Sequence, residues 1–137
     1  MKLSARNQFS GVVTNVKEGA VNGIVSLKSG NETITGTISM NAIKELGLKA
    51  GCEAVAIIKA TEVMIGIGEM KLSARNMLRG KVASINEGVV NAIVTLELSD
   101  GQQVTSTISM NAVKELGLEV GVEAVAVIKA TSVMFGA

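Results

Sequence analysis

Apolar residues alternate with small or polar ones from Val21 to Leu27, with Val21, Gly23, Val25 and Leu27 on one face and Asn22, Ile24 and Ser26 on the other. Alternation returns over Thr33–Ile38, and Gly11–Val16 is short and rich in Val. Period-two patterning with β-branched residues predicts strands. From Ser39 the period changes. Met40, Ile43 and Leu46 recur every three residues, which places them on one stripe of a short helix over residues 39–47. Ser39 is suited to the N-cap, and Gly47 to the left-handed residue that ends the helix. Residues 48–51 read as a turn. Ala54–Ala60, apolar except for Lys59, reads as a fourth strand, and Val63–Ile65 as a short fifth.

The same succession then repeats. SARN occurs at Ser4–Asn7 and Ser73–Asn76, and EGAVN at 18–22 returns as EGVVN at 87–91. TISMNAIKELGL at 37–48 returns as TISMNAVKELGL at 107–118, and EAVAIIKAT at 53–61 as EAVAVIKAT at 123–131. The offset is 69 residues up to Leu27/Leu96 and 70 from Thr37/Thr107, so one residue is inserted in a polar, Gly-containing stretch suited to a hairpin turn. The chain is therefore a tandem duplication with expected domains 1–67 and 68–137, joined at Gly66-Ile67-Gly68-Glu69. Five short strands and one small helix per repeat predict an all-β chain of two tandem OB-like β-barrels. A flat two-layer α+β arrangement is the alternative. A lobe of this size buries only about 60% of its unfolded surface, so the lobes are expected to pack on each other, on other subunits, or both.

Composition narrows the function. The chain of 137 residues has no His, Trp, Tyr or Pro, and its aromatic residues are Phe9 and Phe135. Without His there is no Ser–His pair and no imidazole metal ligand, and no CxxC, GxxxxGK[ST] or GxGxxG is present, so an enzyme is not expected. A net charge of +1 gives no field to gather nucleic acid or anionic membrane. The single Cys52, matched by Val122 in the second half, reads as a small buried hydrophobe. No stretch reaches the ~18 apolar residues of a membrane span, and the first residues lack a signal core, so a cytoplasmic location is expected.

The cationic candidates are Arg6 with Ser4 in SARN and Lys59 with Thr61 in KAT. Each also reads as a solvated charge at a strand end. The duplication favours a role: residues 38–66 and 108–136 are identical at 22 of 29 positions, and Arg6/Arg75 and Lys59/Lys129 are retained where Lys49/Glu119 and Lys17/Asn86 differ. If SARN, the helix start at Ser39 and KAT converge, they form a donor-rich cluster of guanidinium, ammonium, hydroxyl and helix N–H groups without a carboxylate. Such a cluster suits a compact dianion. Molybdate and tungstate are fully deprotonated at neutral pH and match a donor-only site. Hydrogen phosphate carries a proton that needs an acceptor. Sulfate is proton-free, and only size and geometry would exclude it. The rival reading is an OB-fold module for single-stranded nucleic acid, which needs a basic groove and aromatic platforms that this composition hardly supplies.

With SARN, ISM, ELG and KAT present twice and EGAVN matched by EGVVN, the chain resembles the Mop family of molybdate-binding proteins, the molbindins, in their two-repeat form. The resemblance implies an OB-like barrel per repeat, cytoplasmic molybdenum storage and homeostasis, molybdate or tungstate as the bound ligand, and no organic cofactor. It implies a homotrimer, with oxyanions at interfaces between Mop domains. Carried over residue by residue, one site class comprises Ser4, Arg6, Ser39, Lys59 and the Ala60 N–H, with Ser73, Arg75, Ser109, Lys129 and Ala130 in the second repeat. A second class near the three-fold axis falls on the EGAVN and EGVVN loops, at Gly19, Val21, Asn22, Gly88, Val90 and Asn91. Related regulators and transporter ATPases add a DNA- or nucleotide-binding domain, for which 137 residues leave no room, so a free-standing binding protein is expected.

Overall fold

Alternation becomes burial in β2 (Asn22–Ser29): Gly23, Val25, Leu27 and Ser29 face the core. The computed structural model describes residues 2–137; Met1, which opens the first repeat, lies outside them. The first half also forms β1 (Asn7–Lys17), β3 (Glu32–Ser39), α1 (Met40–Leu46), β4 (Glu53–Ile58), a 3-10 turn at Ala60–Glu62, and β5 (Met64–Gly66). The second half repeats this as β6 (Asn76–Glu87), β7 (Asn91–Leu98), β8 (Gln103–Ser109), α2 (Met110–Leu116), β9 (Glu123–Ile128), a 3-10 turn at Ala130–Ser132, and β10 (Met134–Gly136). Val21, expected on the buried face of β2, is instead 75% exposed. It lies in the preceding turn, where its carbonyl accepts the Met40 N–H at 2.8 Å.

The helix ends form as the sequence predicts. Ser39 Oγ accepts the Ala42 N–H at 3.0 Å, and Gly47 closes α1 at φ +66°. Ser109 and Gly117 do the same for α2. Loss of such a cap costs about 1 kcal/mol, so Ser39→Ala is expected to lower the urea midpoint without changing the slope of the transition. The extra residue falls in the β7–β8 hairpin, where Leu98 N–H donates to Gln102 O; the corresponding β2–β3 turn pairs Ser29 with Glu32 across Gly30-Asn31.

The sheets do not follow the halves of the chain. One has the order β10-β4-β1-β2-β3 and the other β5-β9-β6-β7-β8. Each fifth strand is exchanged: β10 pairs antiparallel with β4, and β5 with β9. Every sheet has five strands, but one comes from the other half. Gly66 and Gly68 (φ +83°) bracket the crossing. β4 lies between β10 and β1, and its continuous apolar run is largely buried on both faces. Cys52 is half-buried and packs against the core.

The exchange is matched by side-chain size. Phe135 on β10 sits over Gly36 on β3, where a methyl group would lie 2.5 Å from Phe135 Cε2. At the corresponding place in the other barrel Ser106 replaces Gly36, Ile65 replaces Phe135, and the buried Ser106 Oγ donates to the Val63 carbonyl. Phe135 therefore fits the first barrel, and the smaller Ile65 leaves room for the Ser106 hydroxyl in the second.

The two hairpins also latch together. Ser29 O accepts Gln102 Nε2 at 3.0 Å, and Asp100 accepts the N–H groups of Asn31 and Gln102 and Gln102 Nε2 at 2.9, 3.0 and 2.7 Å. These bonds, that of Asn31 first, hold the Asp100 carboxyl below its ordinary value of 3.8. Burial, followed by the charge of Asp100, raises Glu32 above 4.5. The Asp100 contribution is complete above 3.8 and is lost as pH falls below it, whereas protonation of Glu32 acts in the opposite direction at somewhat higher pH. Asp100→Ala is expected to flatten the acid limb of a plot of urea midpoint against pH; an unchanged limb would exclude the latch as a source of acid sensitivity.

Candidate anion site

β1 begins at Asn7, directly after Ser4-Ala5-Arg6, and β4 ends at Ile58, directly before Lys59. Asn7 is the register partner of Ile58, so antiparallel pairing alone sets SARN beside KAT. The two motifs line one open cavity of about 470 Å³, with Leu3, Ser4, Ala5 and Arg6 from the first and Ile57, Lys59, Ala60 and Thr61 from around the second. The remaining walls come from the second half: Thr107 on β8, with Met134 and Phe135 on the exchanged β10. Two cations and three hydroxyls face this space, and no carboxylate lines it. The 3-10 turn after Lys59 is closed by the N–H groups of Glu62 and Val63, so those of Ala60 and Thr61 at its start are not consumed by it.

Four of the predicted residues thus meet: Ser4, Arg6, Lys59 and Ala60. Ser39 does not line this cavity. Thr107, two residues before Ser109, does, so it is the approach to α2 rather than α1 that faces the first half's motifs. The regrouping follows from the fold, because each 3-10 turn packs on the other half's edge strand, Ala60–Glu62 on β8 and Ala130–Ser132 on β3. The counterpart set Ser73, Arg75, Lys129 and Ala130 accordingly lies toward β3, whose end is Ser39. Sequence reasoning passed over Thr37 and Thr107. Both belong to the repeated TISM stretch, where only the serine was singled out.

The helix starts offer less than the sequence suggests. The Met40 N–H goes to Val21 O and the Ala42 N–H to Ser39 Oγ, and α2 repeats both bonds with Val90 and Ser109. In the EGAVN and EGVVN loops, a methyl group on Gly19 or Gly88 would lie 2.4 or 2.6 Å from the carbonyl O of Asn22 or Asn91, so these glycines are needed for the turn itself. Val21, Val89 and Val90 are 75%, 98% and 71% exposed. Asn22 and Asn91 are exposed at the starts of β2 and β7, where they pair with Ser39 and Ser109.

Asn7, the last residue of SARN, is buried and does not line the cavity as its neighbours do. Its side-chain amide binds the Thr105 backbone, donating to the carbonyl at 2.8 Å and accepting from the N–H at 2.7 Å. Asn76 binds Thr35 in the same way, at 2.8 and 2.7 Å, and also donates to Ile128 O at 3.2 Å.

Residues 3–65 and 72–135 each match the TOBE domain. The chain belongs to the TOBE domain family. Among relatives of this TOBE pair, the molybdenum transport protein ModE of Azotobacter vinelandii is 41% identical over 136 residues, covering 98% of this chain and 50% of ModE. The chain spans about half the length of the ModE relatives it matches. A probable molybdenum-pterin-binding protein of Haemophilus influenzae is 63% identical over 67 residues, 49% of this chain and 97% of that protein, which corresponds to one TOBE repeat. Among solved structures, the cytoplasmic molybdate-binding protein ModG with molybdate bound superposes with a TM-score of 0.97 at 45% identity, covering 99% of both chains. The tandem OB-like architecture is thus that of a two-repeat TOBE protein.

Proposed function

We propose that this chain binds tetrahedral oxyanions, molybdate first and tungstate second, and holds them unchanged for molybdenum storage and homeostasis in the cytoplasm. One observation carries the reading. Arg6, Lys59 and the hydroxyls of Ser4, Thr61 and Thr107 line a single cavity free of carboxylates. Arg supplies a fork of donors and Lys a compact charge, so four bare oxygens of a dianion find donors on several sides. A protonated phosphate oxygen would meet hydroxyl or backbone oxygen only. The names of the ModE and molybdenum-pterin-binding relatives and the molybdate in ModG support the same reading.

The site is composite. Ser4, Arg6, Lys59 and Ala60 act with Thr107 of the other half, and Ser73, Arg75, Lys129 and Ala130 form the counterpart toward β3. Ser39 and Ser109 contribute from the half opposite to each motif set. The repeats 1–67 and 68–137 are the units of duplication, and three chains assemble. In that assembly the exposed EGAVN and EGVVN loops, through Gly19, Val21, Asn22, Gly88, Val90 and Asn91, supply axial anion sites. No catalytic step is assigned. The nucleic-acid reading has less support, because Phe9 and Phe135 are 3% and 9% exposed and offer no surface for stacking bases. Likewise, no helix among the described residues is long and apolar enough to cross a membrane.

Titration calorimetry with molybdate, tungstate, sulfate and phosphate tests the proposal. Binding of the first two, with sulfate and phosphate weaker, is expected. No heat with molybdate or tungstate, together with a salt-sensitive shift of single-stranded oligonucleotides, would replace it with the nucleic-acid reading.

A further inference from the structure

The buried amides of Asn7 and Asn76 stand apart from the anion-binding donors. Asn7 is 2% exposed and Asn76 1%, and each pairs its amide with the backbone of one residue in the opposite half, Asn76 donating to Ile128 O of its own half as well. β8 and β3 are the last strands of their sheets, so Thr105 and Thr35 present backbone groups that no sixth strand pairs. The asparagine amide takes the place of that strand at one position.

Its location matters more than its bond count. Asn7 follows Arg6 directly and is the β-ladder partner of Ile58, which precedes Lys59. Thr105, to which it binds, lies two residues before Thr107 on the same strand and therefore on the same face. Asn7 is thus the point at which the three segments bearing Arg6, Lys59 and Thr107 are joined.

We propose that Asn7 and Asn76 are positioning residues for the two composite anion sites, each fixing its own half's SARN and KAT against the edge strand of the other half. The inference rests on the oxyanion reading. Alanine at position 7 removes both hydrogen bonds to Thr105 and leaves its N–H and carbonyl unpaired in a part-buried seam. The wall carrying Thr107 then separates from Arg6 and Lys59. The counterpart site, held by Asn76 against Thr35, keeps its geometry.

The test uses the full chain and calorimetry with molybdate. Lys129→Ala leaves the first composite site as the reporter and Lys59→Ala the second, each beside the axial sites, which none of these substitutions touches. Asn7→Ala is expected to weaken binding about tenfold in the Lys129→Ala background, on the scale of a lost buried hydrogen-bond pair, and less than twofold in the Lys59→Ala background. Asn76→Ala is expected to show the reverse pattern. It provides an independent reading if Asn7→Ala does not fold, as does Asn7→Ser, which retains one hydrogen-bonding atom. Val13→Ala, a core change remote from the motifs, controls for general loss of stability. Equal weakening in both backgrounds, or the same pattern from Val13→Ala, would reduce Asn7 to a fold-stabilising residue and overturn the proposal. Undiminished binding in every asparagine variant would overturn it too, while leaving the oxyanion reading intact. Silence of the unsubstituted chain toward molybdate would instead remove the oxyanion reading itself.

Discussion

Lys59→Ala is expected to weaken molybdate binding at the first composite site by about a hundredfold, the scale of a lost charge-assisted contact to a dianion in a confined site, and to leave the Arg75–Lys129 counterpart intact. Lys59 directly follows β4 and lines the same cavity as Arg6, so in the proposed site both cations are available to one ligand. Arg6→Ala is expected to have a comparable effect. Lys49→Ala provides the control. It removes the same kind of charge from the exposed turn after α1, outside the cavity, and the second half carries Glu119 at that place. Calorimetry on the three variants separates a specific site from general attraction. Equal effects would mean that the anion responds to net charge alone. Because ligand that binds only the folded state raises the melting temperature, the same order should appear in thermal shifts at saturating molybdate.

The second large effect concerns strand exchange. Phe135→Ala is expected to cost about 3 to 5 kcal/mol of stability, the range for a buried aromatic truncation. Phe135 belongs to the second half but fills the first barrel, against Gly36 and beside Ala56 on β4. The damage should therefore appear first in amide exchange of β1–β4 rather than of β6–β9. Gly36→Ser is expected to cost about 1 to 3 kcal/mol through overpacking against the same ring. Combining it with Phe135→Ile recreates the Ser106/Ile65 pairing of the other barrel and should recover part of that loss. Additive costs in urea titrations would show that positions 36 and 135 are not coupled.

The features legible in the sequence were those with a local cause. Alternation located β2 and β3, three-residue spacing located α1, and Ser39 and Gly47 set its ends. The changed repeat offset located the hairpin insertion. Val63–Ile65 was recognisable as strand-like, but its partner was not. Two barrels built from nearly identical repeats offer β5 equivalent ladders, and backbone pairing carries no label of origin. Only the joint change from Gly36 and Phe135 to Ser106 and Ile65 distinguishes them. The same ambiguity affected the site. Ser4, Arg6, Lys59 and Ala60 meet because β1 pairs with β4 within one half, whereas Ser39 lies at the end of an edge strand that faces the other half's turn. Asn7 was hidden for another reason: a motif retained whole in both repeats does not show which residues touch ligand and which hold the backbone that does.

Crystals grown with molybdate and measured at the molybdenum absorption edge test the central claim most directly. An anomalous peak is predicted within hydrogen-bonding distance of the Arg6 guanidinium and the Lys59 ammonium, beside the Thr107 hydroxyl of the opposite half, with a second at Arg75 and Lys129. Molybdenum found only elsewhere, with the Arg6–Lys59 cavity holding water, would contradict the account.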